Sequence, residues 1–216
     1  MKFLFINIIG LTLFCGNYDL NAQENGVNSL PGEVLSGSNE LIINKKASAG
    51  IFGSPYLYND FRSSEISNVN ENVNIRYNIY SDEIEFKRDD KIYILPKDSK
   101  YHLIRLKDDE KIRLVKGVYY ILLDENDQNF LLKKVAISFT DAKPALNSYT
   151  EDKPAEYRKE KPKYYLFYDG HLLEINKKIN IKNFKKADEI EGFIKVNKIN
   201  YTNEEHLVRL FDFISN

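Results

Sequence analysis

Alternation is the feature that most restricts this chain. Val73, Ile75, Tyr77 and Ile79 fall on one face of an extended strand, while Asn74, Arg76, Asn78 and Tyr80 fall on the other. Ile84 and Phe86 continue the pattern beyond Ser81-Asp82. Arg88-Asp89-Asp90 then turns the chain into a hairpin partner at 91–95, which Pro96 stops. Further strands are predicted at 101–106, 111–115, 118–123 and 130–138, separated by Lys107-Asp108-Asp109, Lys116-Gly117 and the polar run 124–129. Strands at this short spacing, joined by tight polar turns, predict an antiparallel meander rolled into a barrel or a sandwich. The aromatic residues agree: 15 Tyr and 13 Phe, against one Met and no Trp, suit half-buried pleated surfaces better than a helical bundle.

The later chain changes character. Pro144, Pro154 and Pro162 lie among charged and small residues, so 139–163 reads as a linker. A hairpin follows, 164–168 with 172–175, around Asp169-Gly170, a pair suited to a turn that needs positive φ. The C-terminus is helical. Asp188 is placed to cap a helix carrying Ile190, Phe193 and Ile194 on one face, with Gly192 a weak point. Thr202 and Glu205 form a capping box ahead of Leu207, Leu210, Phe211 and Ile214, which recur at helical spacing. The expected class is therefore α+β. A β-rich domain spans 51–138, the linker 139–163 follows, and 164–216 holds a hairpin and helices that cover each other and the end of the sheet.

The N-terminus carries an address. Lys2 precedes a nearly unbroken apolar run from Phe3 to Phe14, and Asn21-Ala22 offers a cleavage site before Gln23. This is the anatomy of a cleavable signal peptide over 1–22, too short to remain as an anchor. Export to the periplasm or beyond is the expectation. Residues 23–50, rich in Asn, Ser and Gly, read as a flexible arm in which only Leu41-Ile42-Ile43 suits a strand. The single cysteine, Cys15, lies in the leader, so the mature fold is expected to stand without disulfides. Lipidation at Cys15 is the lesser reading, because Leu13-Phe14 occupy positions where small residues are wanted. No later segment is long and apolar enough to span a membrane as a helix.

Several short strings carry a resemblance. Gly53-Ser54-Pro55-Tyr56-Leu57 with Phe61, then Arg76-Tyr77-Asn78-Ile79-Tyr80-Ser81-Asp82-Glu83-Ile84, are similar to a group of exported proteins of Bacteroidetes, especially flavobacteria. Glu189-Ile190, Phe193-Ile194-Lys195, Asn197-Lys198-Ile199-Asn200, Glu204-Glu205 and Leu207 extend the resemblance through the C-terminus. It implies a Gram-negative envelope location. It brings no activity, cofactor, partner or catalytic residue.

The chemical constellations are thin. A net charge of −1 gives no electrostatic case for nucleic acid. The oxygen-rich run 124–129 lacks the Gly and closing Glu of a calcium loop and reads as a polar hairpin tip. Asp82, Glu83 and Glu85 near Tyr77 and Tyr80 are paired carboxylates of the kind a glycosidase uses; alternation sends neighbours to opposite faces and puts Glu83 with Glu85 most simply on the solvated one. His102, His171 and His206 lack metal-ligand spacing. Lys177, Lys178, Lys182, Lys185 and Lys186, with Ile179, Ile181 and Phe184 between them, suit either an anionic surface or a solvated turn into a helix. No phosphate-binding or dinucleotide fingerprint occurs. No catalytic, cofactor-binding or metal residue is therefore assigned, and no cofactor is expected.

The leading expectation is a non-enzymatic envelope protein that binds a protein or a glycan, with the aromatic strand faces around Tyr77, Tyr80 and Tyr93 as candidate surfaces. A glycan or peptidoglycan hydrolase is the alternative. A third reading is a subunit that docks through the stripe Leu207-Leu210-Phe211-Ile214.

Overall fold

The computed structural model describes residues 35, 37–40, 50–145, 147, 149 and 151–215. The expected leader and Leu41-Ile42-Ile43 lie outside the described residues. Thirteen strands and two helices follow in order. They are β1 (Asn39–Glu40), β2 (Arg62–Ile66), β3 (Val73–Asn78), β4 (Glu83–Arg88), β5 (Lys91–Ile94), β6 (Leu103–Leu106), β7 (Lys111–Val115), β8 (Val118–Asn126), β9 (Asn129–Lys134), β10 (Ile137–Thr140), β11 (Glu156–Lys159), β12 (Lys163–Tyr168), β13 (His171–Ile175), α1 (Ala187–Val196) and α2 (Glu204–Ser215).

Eleven strands make one antiparallel sheet in the order β1-β5-β4-β3-β2-β6-β7-β8-β9-β12-β13, and β10 with β11 makes a second. The large sheet is two meanders sharing the β2–β6 seam, with residues 95–102 carrying the chain back across. Local chemistry sets the turns. Asp89-Asp90, Lys116-Gly117 and Asp169-Gly170 all have positive φ at both positions, the backbone of a type I′ hairpin turn. Among the described residues no pairing joins β1 to β13, so the large sheet is open, and a closed barrel is not seen.

The sheet nevertheless curls strongly. β3 and β8 stand four places apart, about 19 Å on a flat sheet at about 4.8 Å per strand. Yet the rings of Tyr77 and Tyr119 lie 6.0 Å apart, edge to face. The curl encloses a first core of Ile66, Val73, Ile75, Tyr77, Ile84, Phe86, Leu95, Tyr101, Ile104, Ile112 and Tyr119. Leu35 is buried in it and β1 pairs with β5, so part of the expected arm 23–50 is docked. A second core lies where the helices cover the sheet, and it joins Leu131, Tyr164, Leu166 and Ile175 to Ile190, Leu207, Leu210 and Phe211.

Two expectations are corrected, and one strand goes beyond them. The run 130–138 is two strands: β9 stays in the large sheet, and β10 leaves it after Val135-Ala136 to pair with β11. The linker 139–163 therefore contains a strand, and Lys143 and Lys153 extend the hairpin by exchanging both backbone bonds at 2.8 Å. β2, Arg-Ser-Ser-Glu-Ile, had no apolar alternation to reveal it; buried Ser64 takes the place of an apolar residue by donating to the Val73 carbonyl at 2.8 Å.

The helix caps move, that of α1 two residues earlier than expected and that of α2 one residue later. α1 begins at Ala187 after Lys186, whose side chain makes no cap bond, and Asp188 lies inside the first turn. There its charge favours the positive end of the helix dipole. For α2 the cap is Asn203, whose Oδ1 accepts from the His206 amide at 3.1 Å, while Thr202 donates its hydroxyl to Asn200.

Candidate functional site

Two of the three carboxylates of the β3–β4 region, Glu85 and Asp82, are held in ion pairs. Arg76 on β3 stands directly opposite Glu85 on β4. Glu85 is 1 % exposed, which corrects its expected place on a solvated face. Residues 54–61 supply the cover. Arg76 Nη2 donates to Glu85 Oε2 at 2.6 Å and to the Tyr56 hydroxyl at 2.9 Å. Its guanidinium lies over the rings of Tyr56 and Phe61 at 3.7 and 4.5 Å. Burial, and then the Glu85 charge, push Tyr56 up to about 12.

Asp82 forms a second centre. It sits in the β3–β4 turn at φ +57°, a conformation Asp tolerates because its short side chain bonds locally. Its carboxylate accepts from Lys97 Nζ at 2.6 Å, from the Tyr77 hydroxyl at 2.7 Å, from Lys134 Nζ and from the Tyr119 amide. Lys134 also donates to the Tyr77 hydroxyl and to the Tyr119 carbonyl, both at 2.9 Å, so its three protons are all engaged. Burial pushes the Asp82 pKa up, but the bonds from Lys134, Lys97 and Tyr77 outweigh it and leave the group below 3.8. Burial lowers Lys134, and Asp82 restores only part of the loss. Burial and the Asp82 charge raise Tyr77 and Tyr119. The centre clasps the β3–β4 turn to β8 and β9, across the curl of the sheet.

The three singled-out tyrosines separate. Tyr77 is buried in the clasp, and Tyr93 is stacked on Phe86 at 5.5 Å. Tyr80 is 51 % exposed. Its ring meets Tyr157 of β11 at 5.4 Å and Phe139 of β10 at 6.2 Å, and those two lie 4.7 Å apart. Phe52, 63 % exposed, bonds its backbone to β11 on both sides, through Ala155 and Tyr157 at 2.8 Å. Gly53 beside it has φ +76°, and a Cβ there would stand 2.2 Å from the Tyr157 carbonyl oxygen, so only glycine permits this approach. Tyr149, near the tip of the same excursion, is 98 % exposed. Of the five large apolar side chains exposed among the described residues, three thus belong to the β10–β11 hairpin or rest on it.

The remaining candidates lie apart from these groups. The run 124–129 is the β8–β9 tip, with Glu125 paired to Lys111 and Arg113 at 2.8 and 3.2 Å. His102 Nδ1 lies 2.9 Å from the Ser99 carbonyl, His171 is exposed on β13, and His206 Nδ1 accepts from the Asn200 amide at 3.1 Å. The five lysines of 177–186 are exposed, while Ile179, Ile181 and Phe184 face the helical core. Leu207, Leu210 and Phe211 are buried within the chain, so most of that stripe is already covered. Among the described residues no group of three or more His, Asp or Glu is placed to hold a metal ion, and no helix is long and apolar enough to cross a membrane.

The aromatic cluster escaped sequence reading because its rings come from three separate segments. Tyr80 was singled out from the sequence, but nothing there joined it to Phe139 or Tyr157. Comparison with protein-family models, curated proteins and solved structures finds no match.

Proposed function

We propose that this chain is an exported, non-enzymatic interaction module of the bacterial envelope, and that it binds through the aromatic surface of the β10–β11 hairpin. The observation that carries the reading is the concentration of exposed rings, Tyr80, Phe52 and Tyr149, on or against that hairpin. Exposed apolar groups gathered on one projecting element mark contact sites, whereas scattered ones do not. Tyrosine adds a hydroxyl to a rigid apolar body, which suits a surface that is wet when free and covered when bound. The curled sheet behind it reads as a sandwich-like roll that serves as a rigid mount. Export rests on the signal-peptide pattern of 1–22, and the envelope location on the resemblance to exported Bacteroidetes proteins. An envelope protein is the favoured ligand, with a glycan as its rival.

The test is photo-crosslinking in living cells of the source bacterium, with benzoylphenylalanine at Tyr80 and, as a control, at Val196, which is 81 % exposed and far along the chain. A defined adduct from Tyr80 only, lost when Phe139→Ala dismantles the ring cluster, supports the reading. Identical adducts from both sites, or none from either, reject it.

A further inference from the structure

The backbone of β10 is as informative as its rings. The carbonyl of Ala155, just before β11, and the Tyr157 amide within it both point away from β10, because they bond Phe52 on the other side. In an antiparallel ladder the direction alternates residue by residue. Glu156 and Arg158 therefore face β10 and pair with Thr140 and Ser138. The Glu160 amide donates to the Ala136 carbonyl at 2.9 Å, which keeps the same phase; the Lys143–Lys153 pair has the opposite phase because the ladder is interrupted at 141–142. It follows that the N–H and C=O groups of Ile137 and Phe139 point outward, to the edge away from β11. Among the described residues neither has a backbone partner on that edge. They form a row of donors and acceptors repeating at about 7 Å, twice the rise of a strand residue.

This edge also lacks the devices that normally blunt one. Ile137-Ser138-Phe139-Thr140 contains no proline and no charge, and three of its four residues favour strands. The long edge of the large sheet, β13, carries His171 and Glu174 exposed instead. A two-stranded hairpin is marginal by itself and gains from a further strand.

We propose that β10 is a strand-addition site whose occupant is an extended polypeptide segment of a partner protein. That segment would pair with the outward groups of Ile137 and Phe139 and lay an apolar side chain against the Tyr80–Phe139–Tyr157 rings. The chemistry selects the partner: a glycan has no donor–acceptor repeat matching a strand edge, whereas any extended backbone has one. The neutral strand imposes no charge selection, so specificity comes from the residue that meets the rings. The inference rests on the interaction reading above and sharpens it from an envelope protein to an extended peptide.

The experiment selects binders to the full chain from a displayed library of random linear peptides and studies the best of them. Two backbone perturbations follow. The first replaces Phe139 by its α-hydroxy acid, which removes one outward N–H and keeps the ring. The second methylates the peptide amides one at a time, leaving the protein intact. Binding weakened about three- to tenfold by the ester, the worth of one net hydrogen bond, with loss at alternate methylated positions, is the expected result. A peptide indifferent to both perturbations, or no peptide at all, overturns strand addition. If the Tyr80 crosslink still forms, the broader interaction reading survives that failure. Dimerisation of the chain abolished by the same ester assigns the edge to a second copy and overturns the foreign partner.

Discussion

Replacing Asp82 by Asn isolates the charge in the clasp. Asn tolerates the positive φ of this position as readily as Asp and has nearly the same shape, so backbone strain stays constant. What changes is the partner of Lys134, whose side chain is 20 % exposed, as is that of Asp82. Removing one member of a fully buried pair costs about 3–5 kcal/mol because the other charge is stranded. Residual exposure and the bonds that Lys134 keeps to Tyr77 and Tyr119 lower this to about 2–3 kcal/mol, and the midpoint temperature falls by about 5–10 °C at this chain length. Urea unfolding followed by circular dichroism measures it. The midpoint should move while the slope stays constant, because the surface exposed on unfolding is unchanged. Lys134→Met alone should cost a similar amount, and the double variant clearly less than the sum of the two. The pH dependence carries a sign. Asp82 has a folded pKa below its unfolded one, so its stabilisation is complete above pH 3.8 and is lost as pH falls through the lower folded value. The gap between wild type and Asp82→Asn should therefore close in acid. Additive single and double variants, or a gap independent of pH, would refute the clasp.

Other perturbations probe the remaining structure. Arg76→Met strands Glu85 under Tyr56 and should cost about 3–5 kcal/mol, read from urea midpoints; a loss below about 1 kcal/mol would mean that Glu85 reaches water. Gly53→Ala drives a methyl into the Tyr157 carbonyl, so amide exchange at Tyr157 should accelerate while the Phe86 amide stays protected. Equal acceleration at both would show that the hairpin unfolds only with the core. Leu210→Ala should cost about 2–5 kcal/mol, since the side chain is 2 % exposed between α2 and the sheet; a near-neutral result in thermal melts would place α2 outside the cooperative unit. At alkaline pH, Tyr56 and Tyr164 are held up to about 12, above an unfolded value of 10.0. Their contribution is complete below pH 10 and lost as pH rises through 12, so urea midpoints should fall across that window.

Much of the framework is readable in the chain because its causes are local. The alternation of 73–79 is the core face of β3, since side chains along a strand take opposite faces by geometry alone. Asp169-Gly170 and Lys116-Gly117 take positive φ where the sequence permits it. The stripe Leu207-Leu210-Phe211 specifies both a helix and the face it buries. Nonlocal contacts were not readable in the same way. Glu85 lies on the face that alternation assigns to solvent, and it is buried only because Tyr56, Phe61 and Arg76 arrive over it from elsewhere. Ser64 passes for a surface residue until its hydroxyl meets the Val73 carbonyl. β11 is masked by its charged residues and flanking prolines, and it is ordered by the Phe139 ring and the Phe52 backbone.

The site divides along the same line. Periodicity and turn chemistry are properties of neighbouring residues, and the chain determined these by itself. The Asp82–Lys134 clasp, the Tyr80–Phe139–Tyr157 surface and the outward edge of β10 join residues separated by tens of positions. Only the tertiary structure decided them, because a one-residue change in strand phase or a different curl would point the same side chains and amides elsewhere.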